Sequence, residues 1–239
     1  MDGIVGSLRL GWDALLLKDD AYEEMSAADS PVVKGLVLIL VVGVAVALFA
    51  FVGDVLEWAS TPNLVEIKDI VHHYLTQMPW WQPAVRGDPA FVAIFDQWYN
   101  LGWSIALTLA PSVGSAAANI IVTPLALIIR WLIYGLLAYL FARWLGGTAD
   151  LSQTLGVLAL AVAPQALNVL TVIPYVHLGS VVAVWGILCA YVGLKTAHKL
   201  SWQRAAWATL LPFILVVAAL ILTSCMATGI LAVATGGGS

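Results

Sequence analysis

The chain has 239 residues, 62% of them hydrophobic and only 10% charged, with a net charge of −4 at pH 7. An ordinary soluble domain carries roughly 25% charged residues, and a mean hydropathy of +0.95 leaves more apolar surface than a water-soluble fold can hide. The solvent is therefore lipid; a nucleic-acid partner is excluded for want of a broad basic face.

Ile4, Leu8, Trp12 and Leu15/Leu16 recur at helical spacing, with Arg9, Asp13 and Asp20 between them. That pattern predicts an amphipathic helix in residues 1–30, either resting in the membrane interface or packed on the protein's own polar face. It is acidic and periodic, unlike a cleavable signal peptide. "EEMSAADSP" is a connector, and Pro31 suits a helix start. A first span covers residues 31–56, with an apolar run from Val32 to Gly53. Lys34 at one end can snorkel to the head groups, and Asp54, Glu57 and Trp58 mark the other.

Residues 57–117 form a Trp-rich excursion holding Pro62, Pro79 and Pro83, with "EIKDIVHHYL" as a short helix. The segment around 90–110 is apolar but interrupted by Asp96, Gln97 and Asn100, which predicts an interfacial or re-entrant helix rather than a crossing. Residues 118–231 supply four more spans: Asn119–Ala142, Leu151–Val172, Leu178–Leu194 and Ala205–Leu231, with residues 232–239 as a flexible tail. The fold class is thus all-α, a polytopic membrane protein of five transmembrane helices. Placing the N-terminus in the cytoplasm puts Arg9, Lys18, Lys34, Arg143, Lys195, Lys199 and Arg204 inside and only Lys68 and Arg86 outside, as cytoplasmic loops favour cations. The C-terminus and the Trp-rich insertion then lie on the extracytoplasmic side. Trp58, Trp98, Trp103, Trp144, Trp202 and Trp207 near span ends read as an aromatic belt.

The stretch from Ala142 to Pro212 holds Gly146/Gly147, Gln153/Thr154, Ala163/Pro164, Ile173/Pro174, Trp185, Gly193/Leu194, His198, Leu200/Ser201, Arg204/Ala205 and Leu211/Pro212 in order. This series resembles the Ypt-interacting protein (Yip) domain family. The resemblance implies five transmembrane helices and no catalytic activity. Eukaryotic members are associated with Rab/Ypt GTPases and vesicle traffic, so a small GTPase partner follows by family analogy only. The short loops and the richness in Ala, Leu and Trp look bacterial, which implies the bacterial cytoplasmic membrane.

No residues pair as nucleophile and base, and no metal or cofactor is expected. His72 and His73 are adjacent, so on a helix they diverge and do not chelate one ion well. His177 and His198 fall on opposite faces, which disfavours a bis-His haem. Cys189 and Cys225 both lie in apolar runs and read as small core residues. Arg130, near mid-span, is costly unless it faces water or an acid, for which Asp54 and Asp96 are the candidates. It is either part of a polar recognition seam, a structural ion pair, or shallower than the span boundaries imply. Pro124, Pro164 and Pro212 interrupt three spans, and Gln165 and Asn168 share a face beyond Pro164, for packing or for a broken-helix transport site.

The basic stretch after the fourth span serves as orientation signal and helix cap, with Ser201 capping the fifth span, or as a docking loop. Candidate contacts to lipid or partner are Lys195, His198, Lys199 and Arg204 there and Trp80, Trp81, Trp98 and Trp103 in the insertion. The expected function is a non-enzymatic membrane adaptor or scaffold, touching membrane lipid and other membrane proteins. The alternatives are an accessory subunit of a larger complex, or a transporter of small solutes or ions.

Overall fold

A computed structural model describes the chain except residues 1, 61–62, 89, 111–112, 174–175, 177 and 237–239. Expectations resting on Pro62, Pro174, His177 and the last three residues therefore lie outside the described residues. The elements are α1 (Asp2–Leu15), α2 (Asp19–Ser26), α3 (Pro31–Ser60), α4 (Leu64–Thr76), α5 (Trp81–Gly87), α6 (Phe91–Leu109), α7 (Val113–Trp144), α8 (Leu151–Ala159), a 3₁₀ helix (Leu160–Val172), α9 (Gly179–His198) and α10 (Trp202–Gly236). No strand occurs among the described residues. Five helical segments are long and apolar enough to cross a membrane: α3, α7, α8 continued by the 3₁₀ helix, α9 and α10. α6, with Asp96, Gln97 and Asn100 along it, is not one of them.

Glycines set where the helices touch. A Cβ on Gly35 would stand 2.6 Å from the Ala159 Cβ, one on Gly156 2.4 Å from the Pro31 Cβ, and one on Gly135 2.4 Å from a Leu155 methyl. Gly43 meets the Pro124 ring, at 3.1 Å from such a Cβ. Small residues let backbones approach where lipid offers no hydrophobic drive between helices. These contacts also fix direction. The start of α3 lies beside α8, and α8 follows the end of α7, so α3 and α7 are antiparallel. The α3 start, the α7 end, the α8 start, the α9 end and the α10 start thus share one end, called here the polar end.

Pro164 falls in the 3₁₀ helix. In i→i+3 bonding its missing N–H deprives the Ala161 carbonyl. That oxygen faces Gly186 on α9, at 3.2 Å from where a Cβ would sit. A 3₁₀ run of 13 residues is long for its class, and its rise of about 2 Å per residue stretches the third span by several ångströms. Residues three apart eclipse in such a helix, which brings Asn168 Nδ2 to donate to Gln165 Oε1 at 2.7 Å.

α1 and α2 form a hairpin that packs on the bundle. Leu10, Ala14, Ala21, Tyr22 and Met25 are buried, while Ile4, Val5, Leu8, Trp12 and Leu16 are exposed on the other side. The helix is therefore two-faced, docked on the protein and apolar towards the surroundings. Trp185 Nε1 donates to Leu15 O (2.8 Å), so the hairpin turn reaches thirteen residues down α9 from its polar end, about 20 Å. The Tyr22 ring packs on Gly193, its hydroxyl donates to Ala14 O (3.2 Å), and burial raises its pKa above the ordinary phenol value. Cys189 is buried beside it, but Cys225 is exposed on α10 and is not a core residue.

Gly156→Val should destabilise the fold by about 1–3 kcal/mol through overpacking against Pro31. Gly102→Val, where nothing lies within 4 Å of a Cβ, should be near neutral. Thermal unfolding of both variants in detergent checks this.

Candidate functional site

The polar end is organised by two helix termini of the same type. α7 closes with Gly147 N donating to Ala142 O (2.8 Å) and Gly146 N to Arg143 O (3.1 Å), Gly146 having φ +94. α9 closes with Leu200 N donating to Lys195 O (3.2 Å) and Lys199 N to Thr196 O (3.4 Å), Lys199 having φ +52. Both are Schellman closures, which satisfy the last carbonyls of a helix. Arg143 lies in the last turn of α7, and Lys195 in that of α9, where cations complement the negative end of the helix dipole.

His198 joins the two closures. Its side chain is 1% exposed. Nε2 lies 2.9 Å from the Thr154 hydroxyl, which itself donates to Asp150 O at 2.6 Å. With the hydroxyl proton committed, Nε2 carries the ring proton and Nδ1 the lone pair. Nδ1 is buried without a hydrogen-bond partner among the described residues. It faces Gly147, where a Cβ would stand 2.4 Å away. The His198 carbonyl accepts from Thr148 N at 3.4 Å. Asp150 caps α8 reciprocally with Gln153: Gln153 N donates to Asp150 Oδ1 (2.8 Å) and Asp150 N to Gln153 Oε1 (3.0 Å). Gln153 Nε2 also reaches Ser26 O at the end of α2 (3.4 Å).

His198 is thus corrected from a surface contact to a buried joint: the turn that carries it lies flat against the Gly146–Gly147 turn. Lys195, Lys199 and Arg204 remain exposed, and Arg204 Nη1 donates to Leu145 O at 3.3 Å. Arg143 donates to Gly147 O at 3.4 Å and so joins the basic group, which sequence reading missed because the residue lies fifty positions upstream. Ser201 stands at the start of α10, where its carbonyl accepts from Ala205 N (2.9 Å); no capping bond from its hydroxyl is found among the described residues. The face is not uniformly basic, since Glu23 near the end of α2, Asp29 in the connector to α3 and Asp150 at the start of α8 are exposed as well, whereas Asp19 and Asp20 follow the hairpin turn well down α9. Arg9 pairs with Glu24 (2.5 Å) and Lys18 with Asp13 (2.7 Å).

In the Trp-rich segment, α4 and α5 pack on α6. Phe91, Phe95, Tyr99 and Trp103 line one stripe of α6 at four-residue spacing, with neighbouring ring centroids 5.6–6.1 Å apart. Trp81 is buried against this stripe, 4.9 Å from Phe95, which corrects its assignment as a contact residue. Trp80 stays exposed at its edge, Trp103 meets Tyr99 at a tilt, and Trp98 points away at 66% exposure. His72 pairs with Asp96 at 3.2 Å and Gln77 meets His73 at 2.9 Å. No group of three or more metal-ligating side chains exists among the described residues.

The intramembrane polar residues divide. Gln165 and Arg130 line one cleft of about 60 Å³ between α7, the 3₁₀ helix and α9. Neither candidate acid pairs with Arg130: Asp96 is held by His72, and Asp54 lies the other way along the bundle. From the Gly43–Pro124 contact, Asp54 is eleven residues towards one end and Arg130 six towards the other, about 25 Å of helix rise.

Thr154→Val should cost about 1–3 kcal/mol, because it strips the second ring nitrogen of its partner, and Thr154→Ser should recover most of it. Lys199→Gly should stabilise by about 1 kcal/mol, relieving a left-handed non-glycine residue. Detergent melting curves read both.

No curated protein and no solved structure matches the chain significantly. The Yip1 domain matches residues 12–223, which carries the resemblance traced in the second half through the Trp-rich segment and the N-terminal hairpin. The glycine turn, His198, the Gln153 cap and Gly193 that this series contains are the residues that hold the polar end together, and the chain belongs to the Yip1 domain family of membrane proteins.

Proposed function

We propose that this protein is a non-enzymatic membrane adaptor that docks partners on its polar end. One observation carries the reading: the α7 and α9 closures and the α1–α2 hairpin form a rigid face that exposes both signs of charge. Arg143, Lys195, Lys199 and Arg204 are exposed there, and so are Glu23, Asp29 and Asp150. An anionic membrane surface would attract the first group and repel the second, whereas a protein can complement both. The cation count, six on this end (Arg9, Lys34, Arg143, Lys195, Lys199 and Arg204) against Lys68 and Arg86 on the other, supports a cytoplasmic polar end, with the bacterial cytoplasmic membrane as the site of action. A second reading, an accessory subunit bound through the insertion, is favoured by the exposed Trp80 and Trp98.

Reversing Lys195, Lys199 and Arg204 to Glu should remove a stoichiometric partner from detergent pull-downs of the full chain. Loss only on deleting residues 57–110 supports the subunit reading, and a partner-free chain that passes solutes in liposomes contradicts both. In a Cys225→Ser background, Ser201→Cys should resist labelling from outside intact cells; labelling there reverses the orientation.

A further inference from the structure

Arg130 is an exposed cation on α7. Exposed apolar side chains bracket it on its own helix, from Ile121 to Ile129 on one side and from Leu132 to Leu140 on the other. It therefore sits nine or ten residues, about 14 Å, from either edge of that band, deeper than head groups come without thinning the bilayer. Among the described residues it makes no ion pair. It borders a groove between α7 and α10 of about 540 Å³, lined otherwise by Tyr134, whose hydroxyl donates to Thr209 O, and by apolar side chains that include Ala126, Ile129, Ile133, Pro212 and Val216. A cation held at this depth calls for a counter-charge at the same depth.

We propose that this groove takes a transmembrane helix of another protein that presents one carboxylate to Arg130. The proposal goes beyond the adaptor reading by adding a separate contact within the membrane. Depth selects a helix over a lipid. A phospholipid or fatty acid keeps its charge at the interface, whereas a helix carries a side chain to mid-membrane with its backbone bonds satisfied. Ala126 and Pro212 leave the groove floor low, which permits close approach of a second backbone. A spanning helix of a second copy of this chain does not bring a carboxylate to this depth. The acidic residues in its five spanning segments are Asp54 and Glu57, both in the last two turns of α3.

The exposed Cys225 and buried Cys189 allow one fluorophore on the native chain. The 239-residue chain in phosphatidylcholine liposomes is titrated with an acceptor-labelled Leu/Ala helix of about 23 residues carrying one central Glu, and with its Gln counterpart. Energy transfer should show the Glu helix binding at least about tenfold tighter than the Gln helix. Arg130→Leu should abolish the difference, and Arg130→Lys should keep most of it. Equal binding of the two helices to the native chain overturns the proposal, as does displacement of the Glu helix by an equal amount of oleic acid, which would assign the groove to single-chain carboxylates. Neither result bears on the polar end, so the adaptor reading stands or falls separately by pull-down.

Discussion

The His198 imidazole occupies the space that a side chain at Gly147 would need. This contact ties the α9 terminus to the α7 terminus, and Thr154 ties both to the start of α8. Three of the five spans thus meet around one ring, and α10 is added through the Arg204 bond to Leu145 O. A buried polar ring is costly unless satisfied, and a lone pair left unpaired costs about 1–3 kcal/mol. On the other side of the ring Nε2 is satisfied, donating to the Thr154 hydroxyl, which in turn donates to Asp150 O.

From that joint the rest follows by close packing. Gly156 receives Pro31, Gly35 receives Ala159 and Gly193 receives the Tyr22 ring. The α1–α2 hairpin is therefore part of the bundle, not an appendage resting on lipid. Its docking places acidic side chains near a basic turn, and the mixed charge of the polar end is a product of the fold rather than of any one loop. The Trp-rich segment is built differently: an aromatic stripe on α6 holds α4 and α5, and its packing does not draw on the glycine contacts.

Much of the architecture is readable from apolar run length. The five spans, the short α4 and the exclusion of α6 as a crossing all follow from it, because a bilayer demands continuous apolar sequence and tolerates few charges. Asn168 and Gln165 share a face as their spacing implies, and there they bond to each other. What the sequence hid is tertiary. Periodicity cannot show that Pro164 turns half of a span into a 3₁₀ helix. It cannot show that Arg143 joins Lys195 and Lys199, since that depends on two turns lying side by side. His198 reads as a surface cation because its neighbours in sequence are Lys195 and Lys199; burial is decided by Gly147, fifty-one residues away. The four-residue aromatic repeat from Phe91 to Trp103, by contrast, stands open in the sequence and marks the face on which Trp81 is buried.

The central claim is that the polar end is a rigid, bonded surface and not a set of mobile loops. Hydrogen–deuterium exchange of the full chain in nanodiscs tests it most directly. The amides of Gly147, Thr148 and Leu200, which donate to Ala142, His198 and Lys195, should exchange as slowly as the neighbouring helix interiors. Exchange of these amides at the rate of an open loop would contradict the account.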